Sequence, residues 1–393
     1  MIGFYHSSKP PLHQALLALQ HRGQQGMRFT LSNGKNLINP PNLETITLES
    51  KHAIGQNLGT HQDFKNNHSL ALAFCGRLFN TNSPASFILN LLEKSQAKSL
   101  ISKVQEILPQ LQGGYSFLLL SAETLIAMRD VKGFRPLSVG FLNEGFMLAS
   151  ETCALQALGA TKIREVEAGE ILVFSKESMQ TFKQPTNNPS PCVFEAIYFS
   201  HPASWLFNQS VYTLRERLGK ILAKEKPLKA DLVIPIPNSG MLAALSYAKS
   251  LKLPFAPLLS LNPYVGRSFI EPTQKERLLK AEQKFMLVPN SVKDKSLILI
   301  DDSLVRGTTS LVVVQMLKRA GAKHISLLLT APPLLSPCLW GIDIPEEGEL
   351  LSVAGEEAFK IGADFVGFLS LEGLREAIGM NFCENCFQRR DHV

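Results

Sequence analysis

The sequence predicts a two-domain protein, in which an α+β layered domain is followed by an α/β domain with a mostly parallel sheet. A chain of 393 residues is longer than one hydrophobic core usually supports. Up to residue 184 the pattern is one of short strands and a few helices, whereas helices and buried strands alternate from residue 192 onward. The proline-rich segment 185–191 separates the two patterns. We therefore predict domains at 1–184 and 192–393, joined by a linker.

Composition places the chain among globular proteins and argues against several functions. No apolar run approaches the roughly 20 residues that cross a bilayer, and no charged-then-apolar signal sequence opens the chain, so a cytoplasmic protein is expected. A net charge of +6 with scattered basic residues gives no indication of nucleic-acid binding. Six cysteines in a chain of this length do not indicate a disulfide scaffold.

In the first domain, turn signals such as Asn33-Gly34 and Gly113-Gly114 separate the predicted elements. A helix is expected over residues 12–20. Together with several strands it indicates a layered α+β arrangement. The predicted strands cover residues 70–74, 115–120, 125–128, 146–150 and 171–174.

In the second domain, strands are short apolar runs of the kind that are buried on both faces of a parallel sheet. Ligands of such sheets bind beyond the carboxyl ends of the strands. We therefore expect the turns that carry Ser239 and Asp301 to face one crevice. The predicted elements are strands at 231–236 and 297–300, and helices over 211–224, after 240 to about 248, and over 311–320.

The most informative stretch follows the strand predicted at 297–300. Two acids, Asp301 and Asp302, stand at its carboxyl end, and Gly307 lets the backbone approach a ligand closely. The next helix would offer free N–H groups and the positive end of its dipole to an anion. Carboxylates would repel a phosphate, so they suit a vicinal diol or a divalent cation instead. The combination indicates a phosphorylated ribose. Four hydroxyl side chains complete the stretch: Ser303, Thr308, Thr309 and Ser310.

Four cysteines form a second candidate site. Cys383 and Cys386 make a Cys-x-x-Cys pair, and Cys192 and Cys338 stand alone upstream. Four thiolates can bind zinc or an iron–sulfur cluster. The pair could equally be a redox dithiol, or the four could be unrelated core residues. Spacing alone leaves these alternatives open.

Residues 301–310, Asp-Asp-Ser-Leu-Val-Arg-Gly-Thr-Thr-Ser, closely resemble the phosphoribosyl pyrophosphate loop of type I phosphoribosyltransferases, in the form found in the amidophosphoribosyltransferase family. The turn 237–240 resembles the family's pyrophosphate loop, which usually has Asp where Asn238 stands. The resemblance implies a magnesium site at Ser239, Asp301 and Asp302. It also implies that substrate is bound by Asp301, Asp302, Ser303, Arg306, Gly307, Thr308, Thr309 and Ser310.

Residues 264–274 resemble the family's flexible catalytic loop, which closes over the bound sugar phosphate. Closure excludes water from a reaction with an oxocarbenium-like transition state, in which an amine displaces pyrophosphate. The resemblance makes Tyr264, Arg267 and Lys284 the candidate transferase residues, with Arg277 and Arg306 as further cations for the leaving group. The chain departs from the family by lacking three basic residues, at Leu261, Pro263 and Glu282.

The same resemblance extends over the first half of the chain. Residues 19–24, 129–137, 149–155 and 167–171 are similar to framework segments of the family's glutaminase domain. That domain has the N-terminal-nucleophile hydrolase fold, with two facing sheets between helical layers. The full expectation is therefore a hydrolase-like domain of this fold, followed by a type I phosphoribosyltransferase domain.

The chemistry of glutamine hydrolysis is nevertheless predicted to be lost. The family has its cysteine nucleophile where this chain has Ile2, and an isoleucine cannot attack an amide. The arginine that holds the substrate carboxylate aligns with Leu58, and the oxyanion-hole asparagine aligns with Cys75; Gly76 alone is kept. The acid expected for the substrate amine falls at 83–85. We interpret the domain as a degenerate glutamine amidotransferase.

Cys75 could instead be a displaced nucleophile. It follows the apolar run 70–74, where a cysteine is typically a small core residue, and the sequence shows no activating neighbour. Cys153 has a similar apolar setting. We interpret both as core residues.

The cysteine contexts match those of family members with a structural four-iron cluster. The patterns Cys-x-x-Glu-x-x-Tyr-Phe, Pro-Cys-x-x-Gly-Ile-Asp and Phe-Cys-x-x-Cys-Phe are kept at 192–199, 337–343 and 382–387. Zinc or no metal are the alternatives. The resemblance implies that a 4Fe–4S cluster is held by Cys192, Cys338, Cys383 and Cys386.

The resemblance implies an enzyme that forms phosphoribosylamine from phosphoribosyl pyrophosphate in purine biosynthesis, with Mg²⁺. Without a glutaminase it would use free ammonia or accept ammonia from a separate protein. Family members are oligomeric, so a homo-oligomer is expected. The alternative, favoured by the changes at Leu261, Pro263 and Glu282, is an inactive protein that senses phosphoribosyl pyrophosphate or nucleotides and regulates a partner. A third interpretation is an oxygen or iron sensor based on the cluster.

Overall fold

The computed structural model describes residues 1–6, 10–40, 50–175, 178–262, 265, 282–353 and 357–389. Its regular elements fall into two groups, one before and one after the segment 184–191, which forms neither helix nor strand. Across the described ranges, no helix has the length and apolar character needed to cross a membrane.

Two antiparallel sheets face each other in the first group. The strands are β1 (Ile2–Tyr5), β2 (Met27–Ser32), β3 (Leu37–Ile38), β4 (His52–Asn57), β5 (Gln62–Asn66), β6 (Ala71–Leu78), β7 (Gly113–Leu120), β8 (Leu125–Arg129), β9 (Ser138–Leu142), β10 (Gly145–Ala149), β11 (Thr161–Glu165), β12 (Glu170–Ser175) and β13 (Ser178–Lys183). Their orders are β11-β9-β10-β1-β4-β2-β3 and β13-β12-β8-β7-β6-β5. Side chains alternate between the two faces of β1. Ile2 lies in the core shared with the helices, whereas Tyr5 lies in the core between the two sheets, which also contains Leu118.

Helices cover the outer face of each sheet. Helices α1 (Leu12–Ala18) and α4 (Thr152–Ala157) pack on the first sheet, and α2 (Pro84–Lys94) and α3 (Leu100–Ile107) pack on the second. Short 3-10 helices lie at Gln20–Arg22 and Leu108–Gln110. The helix–sheet–sheet–helix order confirms the predicted hydrolase-like fold. We call this group the amino-terminal domain.

The second group, the carboxy-terminal domain, contains a parallel sheet. Its strands are β14 (Trp205–Leu206), β15 (Gln209–Ser210), β16 (Leu232–Pro235), β17 (Leu259–Leu261), β18 (Phe285–Leu287), β19 (Ser296–Asp301), β20 (His324–Leu329) and β21 (Phe365–Phe368). Its helices are α5 (Val211–Glu225), α6 (Met241–Leu251), α7 (Thr308–Arg319), α8 (Glu357–Ile361) and α9 (Leu371–Ile378), with a π-helical turn at Glu195–Phe199 and 3-10 helices at Glu347–Glu349, Leu351–Val353 and Asn385–Phe387.

The parallel sheet has the order β16-β19-β20-β21 and is covered on both faces. In β19, Ile298 and Ile300 pack in a core with α5, α6 and α9, whereas Leu297 and Leu299 pack in a second core with α7. Burial on both faces explains why the strand is a continuous apolar run. The predicted α/β architecture is confirmed. Two antiparallel pairs, β14 with β15 and β17 with β18, lie beside it.

One boundary differs from the prediction in a way that affects the site. Helix α7 begins at Thr308, three residues before the expected start at 311. Gly307, with a φ of 73°, occupies the cap position and ends the turn before the helix. The hydroxyl side chains of residues 308–310 therefore belong to the first helical turn rather than to a preceding loop.

Candidate active site

A cleft with about 1030 Å³ of open space lies at the carboxyl ends of β16 and β19. Because these parallel strands are adjacent, the turns that follow them meet at one edge of the sheet. Ser239 Oγ donates a hydrogen bond to Asp301 Oδ1 at 3.1 Å, so the two turns touch. The predicted substrate-binding residues all line this cleft: Asp301, Asp302, Ser303, Arg306, Gly307, Thr308, Thr309 and Ser310.

The two acids are buried side by side, with 6% of Asp301 and 5% of Asp302 exposed. Asp301 Oδ1 accepts a hydrogen bond from the backbone N–H of Asp302 at 2.8 Å, and Asp302 Oδ2 accepts one from Ser303 Oγ at 2.7 Å. Burial and the neighbouring Asp302 carboxylate raise the pKa of Asp301 well above its usual range. Two buried carboxylates and the Ser239 hydroxyl are oxygen donors of the kind that a divalent cation takes.

The amino terminus of α7 faces the same cleft. Thr308, Thr309 and Ser310 form its first turn and line the cleft. The first N–H groups of a helix have no partner within the helix, and its dipole favours negative charge there. The cleft therefore combines a helix amino terminus with an acidic pair, the two features from which the sequence analysis predicts a phosphorylated sugar.

A segment that the sequence analysis did not identify packs against the turn of residues 303–307. Arg306 Nε donates to Glu349 Oε2 at 2.6 Å, and these residues are 43 positions apart. The backbone N–H of Leu351 donates to Val305 O at 2.9 Å. A Cβ on Gly307 would lie 2.6 Å from Leu351 Cδ2. The 3-10 helices at 347–353 thus fix the shape of the turn.

The predicted closing loop lies largely outside the described residues, which exclude Tyr264, Arg267, Arg277 and Pro263. Lys284 is described, and it lines the cleft with its Nζ 5.6 Å from the ring centre of Phe285. Leu261 ends β17, and Glu282 is exposed. Of the three candidate transferase residues, the structure therefore places Lys284 at the cleft.

The four predicted cysteine ligands line one cavity, and none of these four described residues is in a disulfide. The backbones of Cys192 and Cys383 form an isolated parallel β-bridge. The backbone N–H groups of Trp340 and Ile342 donate to Cys338 Sγ at 3.3 and 3.4 Å. Burial and the neighbouring cysteines raise the pKa of Cys192, and also that of Cys386, well above the usual range of a thiol.

Thiolates are ligands of zinc and of iron–sulfur clusters. In the part of the chain that is described, no group of three or more His, Cys, Asp or Glu side chains is arranged so that it could hold a metal ion. Nevertheless, four thiols converge on one cavity, and two amides already point at the Cys338 sulfur. Hydrogen bonds to sulfur of this kind tune and support iron–sulfur sites.

The cleft shares its walls with two other cavities. Phe194, Ile342 and Ile344 line both the cleft and the four-cysteine cavity. Phe199 and Asp343 line both the cleft and a cavity of about 540 Å³ between the domains. The cleft therefore adjoins each of the other two cavities and shares wall residues with both.

The interdomain cavity lies where the family's glutaminase pattern is altered. Residues 59–62 line it together with Arg22 and Arg135. Ile2, at the position of the family's nucleophile, is fully buried in the core that contains α1 and α4. Burial and the cations Arg135 and Arg77 lower the pKa of His61 to about 4.

Cys75 is buried, as expected for a core residue, with 2% exposed. The sequence offered no activating neighbour, but the structure places Arg135 and Arg22 beside this thiol. Burial alone would raise the pKa of Cys75; the two guanidinium groups, together with the charge of the amino terminus, outweigh burial and lower that pKa below its ordinary value. In contrast, burial and the Glu151 carboxylate raise the pKa of Cys153 to about 12.

A buried ion network joins the two domains next to this cavity. Arg22 donates to Glu195 Oε2 and Oε1 at 2.9 and 2.8 Å, and to Glu151 Oε1 at 2.6 Å. His21 Nε2 lies 2.7 Å from the same Glu151 oxygen, and Arg135 Nη1 lies 3.4 Å from Glu195 Oε1. Because Glu195 belongs to the carboxy-terminal domain, its pairing with Arg22 fixes the domain interface.

Comparison with known proteins agrees with this architecture. A family model described as "Glutamine amidotransferase domain" matches residues 58–157. A solved structure of glutamine phosphoribosylpyrophosphate amidotransferase from B. subtilis, complexed with ADP and GMP, superimposes with a TM-score of 0.86 at 34% identity, covering 98% of this chain and 94% of that one. A structure of the allosteric regulatory enzyme of purine biosynthesis superimposes with a TM-score of 0.87, also at 34% identity, covering 98% and 93%. The class is therefore that of enzymes in which a glutamine amidotransferase domain is joined to a phosphoribosyltransferase domain.

Sequence comparison narrows this class to one family. The chain is 36% identical to an amidophosphoribosyltransferase of Bacillus subtilis over 98% of its own length and 90% of that protein's. It is 35% identical to one of Methanocaldococcus jannaschii over 95% and 92%, and 41% identical to a chloroplastic one of Arabidopsis thaliana over 79% and 56%. The chain belongs to the amidophosphoribosyltransferase family.

Proposed function

We propose that the protein transfers the phosphoribosyl group of phosphoribosyl pyrophosphate to ammonia, forming phosphoribosylamine for purine biosynthesis. The observation that carries the proposal is the cleft in which the Asp301–Asp302 pair meets the amino terminus of α7. The helix end suits the phosphate of the sugar, and the acids suit its hydroxyls or a bound cation. In the reaction, the nitrogen bonds to ribose C1 as the C1–pyrophosphate bond breaks, and a proton leaves the nitrogen.

The residues around the cleft would act mainly by positioning and by balancing charge. Ser239, Asp301 and Asp302 would hold Mg²⁺, which neutralises charge on the leaving pyrophosphate. Lys284 and Arg306 line the cleft as fixed cations. In the closing loop, Tyr264 and Arg267 are proposed from the family resemblance alone.

Ammonia dependence is proposed because three positions of the glutaminase pattern are altered. Ile2 supplies no nucleophile, Leu58 supplies no cation for a substrate carboxylate, and Cys75 stands in place of the oxyanion-hole asparagine. Ammonia would come from solution or from a separate protein. A cytoplasmic location and a homo-oligomeric state belong to the same proposal.

The test is a pyrophosphate-release assay on the purified protein with phosphoribosyl pyrophosphate and magnesium. We expect release with ammonium and none with glutamine. Asp301→Asn should abolish release, and Cys153→Ser, remote from the cleft, should leave it unchanged. Release with glutamine alone would refute the loss of glutaminase activity, and absence of release with either donor would refute the transferase.

We also propose that Cys192, Cys338, Cys383 and Cys386 hold a 4Fe–4S cluster. Their convergence on one cavity supports it. Protein purified without oxygen should contain about four irons per chain and absorb visible light, and Cys383→Ser should lose both properties while Cys153→Ser keeps them. Stoichiometric zinc instead of iron would replace this assignment by a zinc site.

A second candidate function is a sensor of phosphoribosyl pyrophosphate. Leu261 and Glu282 replace basic residues of the family's closing loop, and these replacements favour a sensor over a transferase. Calorimetry would then show binding of phosphoribosyl pyrophosphate with magnesium, while no amine donor would support turnover.

A further inference from the structure

The loop of residues 338–344, which we call the cysteine loop, contacts all three cavities. Ile342 and Ile344 form part of the wall between the cleft and the four-cysteine cavity. Asp343 lies between the cleft and the interdomain cavity. The position of this loop therefore determines one wall of the proposed substrate site.

The loop is held from outside its own domain by an aromatic cluster. The Trp340 ring stacks on Phe134, with centroids 4.2 Å apart and planes at 17°, and it also contacts Phe79 in a tilted arrangement with centroids 4.9 Å apart. Both phenylalanines belong to the amino-terminal domain. Phe134 is 3% exposed and Phe79 is 49% exposed, so the Phe134 side of the contact is the buried one.

The backbone of the loop is also seated on the amino-terminal domain. A Cβ on Gly341 would lie 2.9 Å from the carbonyl carbon of Gly76 and 3.2 Å from the nitrogen of Arg77. With a φ of 94°, Gly341 also has a conformation that other residues rarely adopt. Gly76 is the one residue of the family's oxyanion-hole pattern that this chain keeps. In this structure its backbone packs against Gly341 of the cysteine loop.

Three hydrogen bonds donated by backbone amides connect the loop between its anchor and the cleft. The amides of Trp340 and Ile342 both donate to Cys338 Sγ, and the amide of Ile344 donates to Ile342 O at 2.8 Å. A displacement of the Trp340 ring would therefore be transmitted to Ile342 and Ile344 through these hydrogen bonds.

We infer that Trp340 is a positioning residue through which the amino-terminal domain holds the cleft wall formed by Ile342, Asp343 and Ile344. This inference rests on the proposed function only in taking the cleft as the phosphoribosyl pyrophosphate site. The amino-terminal domain would then have a structural role, because its residues Phe79, Phe134 and Gly76 contact the cysteine loop and hold it in place.

The test compares full-length Trp340→Ala, Trp340→Phe and Trp205→Ala. Trp205 is the other of the two tryptophans; it is 53% exposed on the β14–β15 hairpin and is the matched control. Hydrogen exchange of the ligand-free proteins is measured for the cysteine loop, and calorimetry measures the binding of phosphoribosyl pyrophosphate with magnesium.

In Trp340→Ala we expect exchange at residues 342–344 to be about five- to tenfold faster and binding to be about tenfold weaker, because two aromatic contacts are lost. Exchange in β19 should not change. Trp340→Phe should restore both properties to within about threefold, and Trp205→Ala should match the wild type. Should Trp340→Ala fail to fold, Phe79→Ala removes the exposed half of the cluster and is measured in the same way.

Unchanged exchange at residues 342–344 in a folded Trp340→Ala protein would overturn the inference, and so would equal effects of the two tryptophan variants. Failure of the proposed function gives a different pattern. A wild type that does not bind phosphoribosyl pyrophosphate refutes that function, while the exchange experiment still decides whether Trp340 holds the loop.

Discussion

Single residues control the shape of the candidate site from outside it. Glu349 is half exposed and forms an ion pair with Arg306 in the turn before α7. A charged pair at the surface contributes little to folding, but it orients a guanidinium that lines the cleft. The contact is therefore expected to affect ligand binding more than stability.

Glu349→Gln should raise the KM for phosphoribosyl pyrophosphate by about two- to fivefold, because Arg306 loses the ion pair with Glu349 and samples other orientations. The unfolding transition should not shift measurably. Glu347→Gln, two residues away and exposed, is the control. An unchanged KM in Glu349→Gln would show that the pair does not position Arg306.

His52 gives the molecule a defined sensitivity to acid. Its ring is buried and stacks on Tyr5 with centroids 4.1 Å apart, and its Nδ1 accepts a hydrogen bond from the backbone of His6 at 3.0 Å. Burial, with nearby His6 and Lys51, lowers the pKa of His52 from 6.5 to about 4. The folded state therefore binds fewer protons than the unfolded state between these values, and stability falls as the pH falls from 6.5 to 4.

His52→Gln should remove up to about 3 kcal/mol of the loss in unfolding free energy between pH 6.5 and 4. The measurement is urea unfolding at a series of pH values. His68→Gln, at an exposed position, should leave the pH dependence as in the wild type. A His52→Gln profile parallel to the wild type would contradict the assignment of this acid sensitivity to His52.

At the scale of elements, the junction of β19 and α7 determines where the ligand groups stand. The strand ends in the acids, Gly307 turns the chain with a positive φ, and the helix begins at once with Thr308. The close packing of Leu351 on Gly307 leaves no room for a side chain at this turn.

Gly307→Ala should lower the unfolding free energy by ~1–3 kcal/mol, because alanine is strained in a left-handed backbone conformation and its Cβ would clash with Leu351. Binding of phosphoribosyl pyrophosphate should weaken as well. Gly348→Ala is the control, because a Cβ there meets nothing within 4 Å. Equal stability of the two variants, measured by urea unfolding, would show that the turn relaxes.

These elements show what the sequence could and could not predict. The run 297–300 was readable as a strand because burial on both faces leaves no polar residue in it. The sequence predicts a later start for α7 than the structure shows, because threonine and serine favour caps and turns, whereas here the cap is Gly307. Glu349 carried no signal, since a contact across 43 residues leaves no local pattern.

At the scale of the whole molecule, the two domains are joined by charge as well as by aromatic packing. Arg22 and Glu195 are buried and belong to different domains. The sequence showed both residues within recognisable segments but not their pairing. Breaking a buried pair leaves an uncompensated charge, which is more costly than losing a surface pair.

Glu195→Gln should lower the unfolding free energy by ~3–5 kcal/mol, because Arg22 would keep its charge without this partner. Calorimetric unfolding should show the loss, with the interface failing before either domain core. Glu167→Gln, which breaks the exposed pair with Lys183, should have no measurable effect. A Glu195→Gln protein as stable as the wild type would mean that Glu151 alone satisfies Arg22.

The wall of Phe194, Ile342 and Ile344 has a further thermodynamic consequence. One set of side chains encloses both the cleft and the four-cysteine cavity, so an occupant that tightens the wall on one side alters the fit on the other. Linkage requires such an effect to be reciprocal. If loading the thiols strengthens sugar-phosphate affinity by some factor, the sugar phosphate strengthens retention of the metal by that same factor, and a cell rich in substrate would protect the centre from loss.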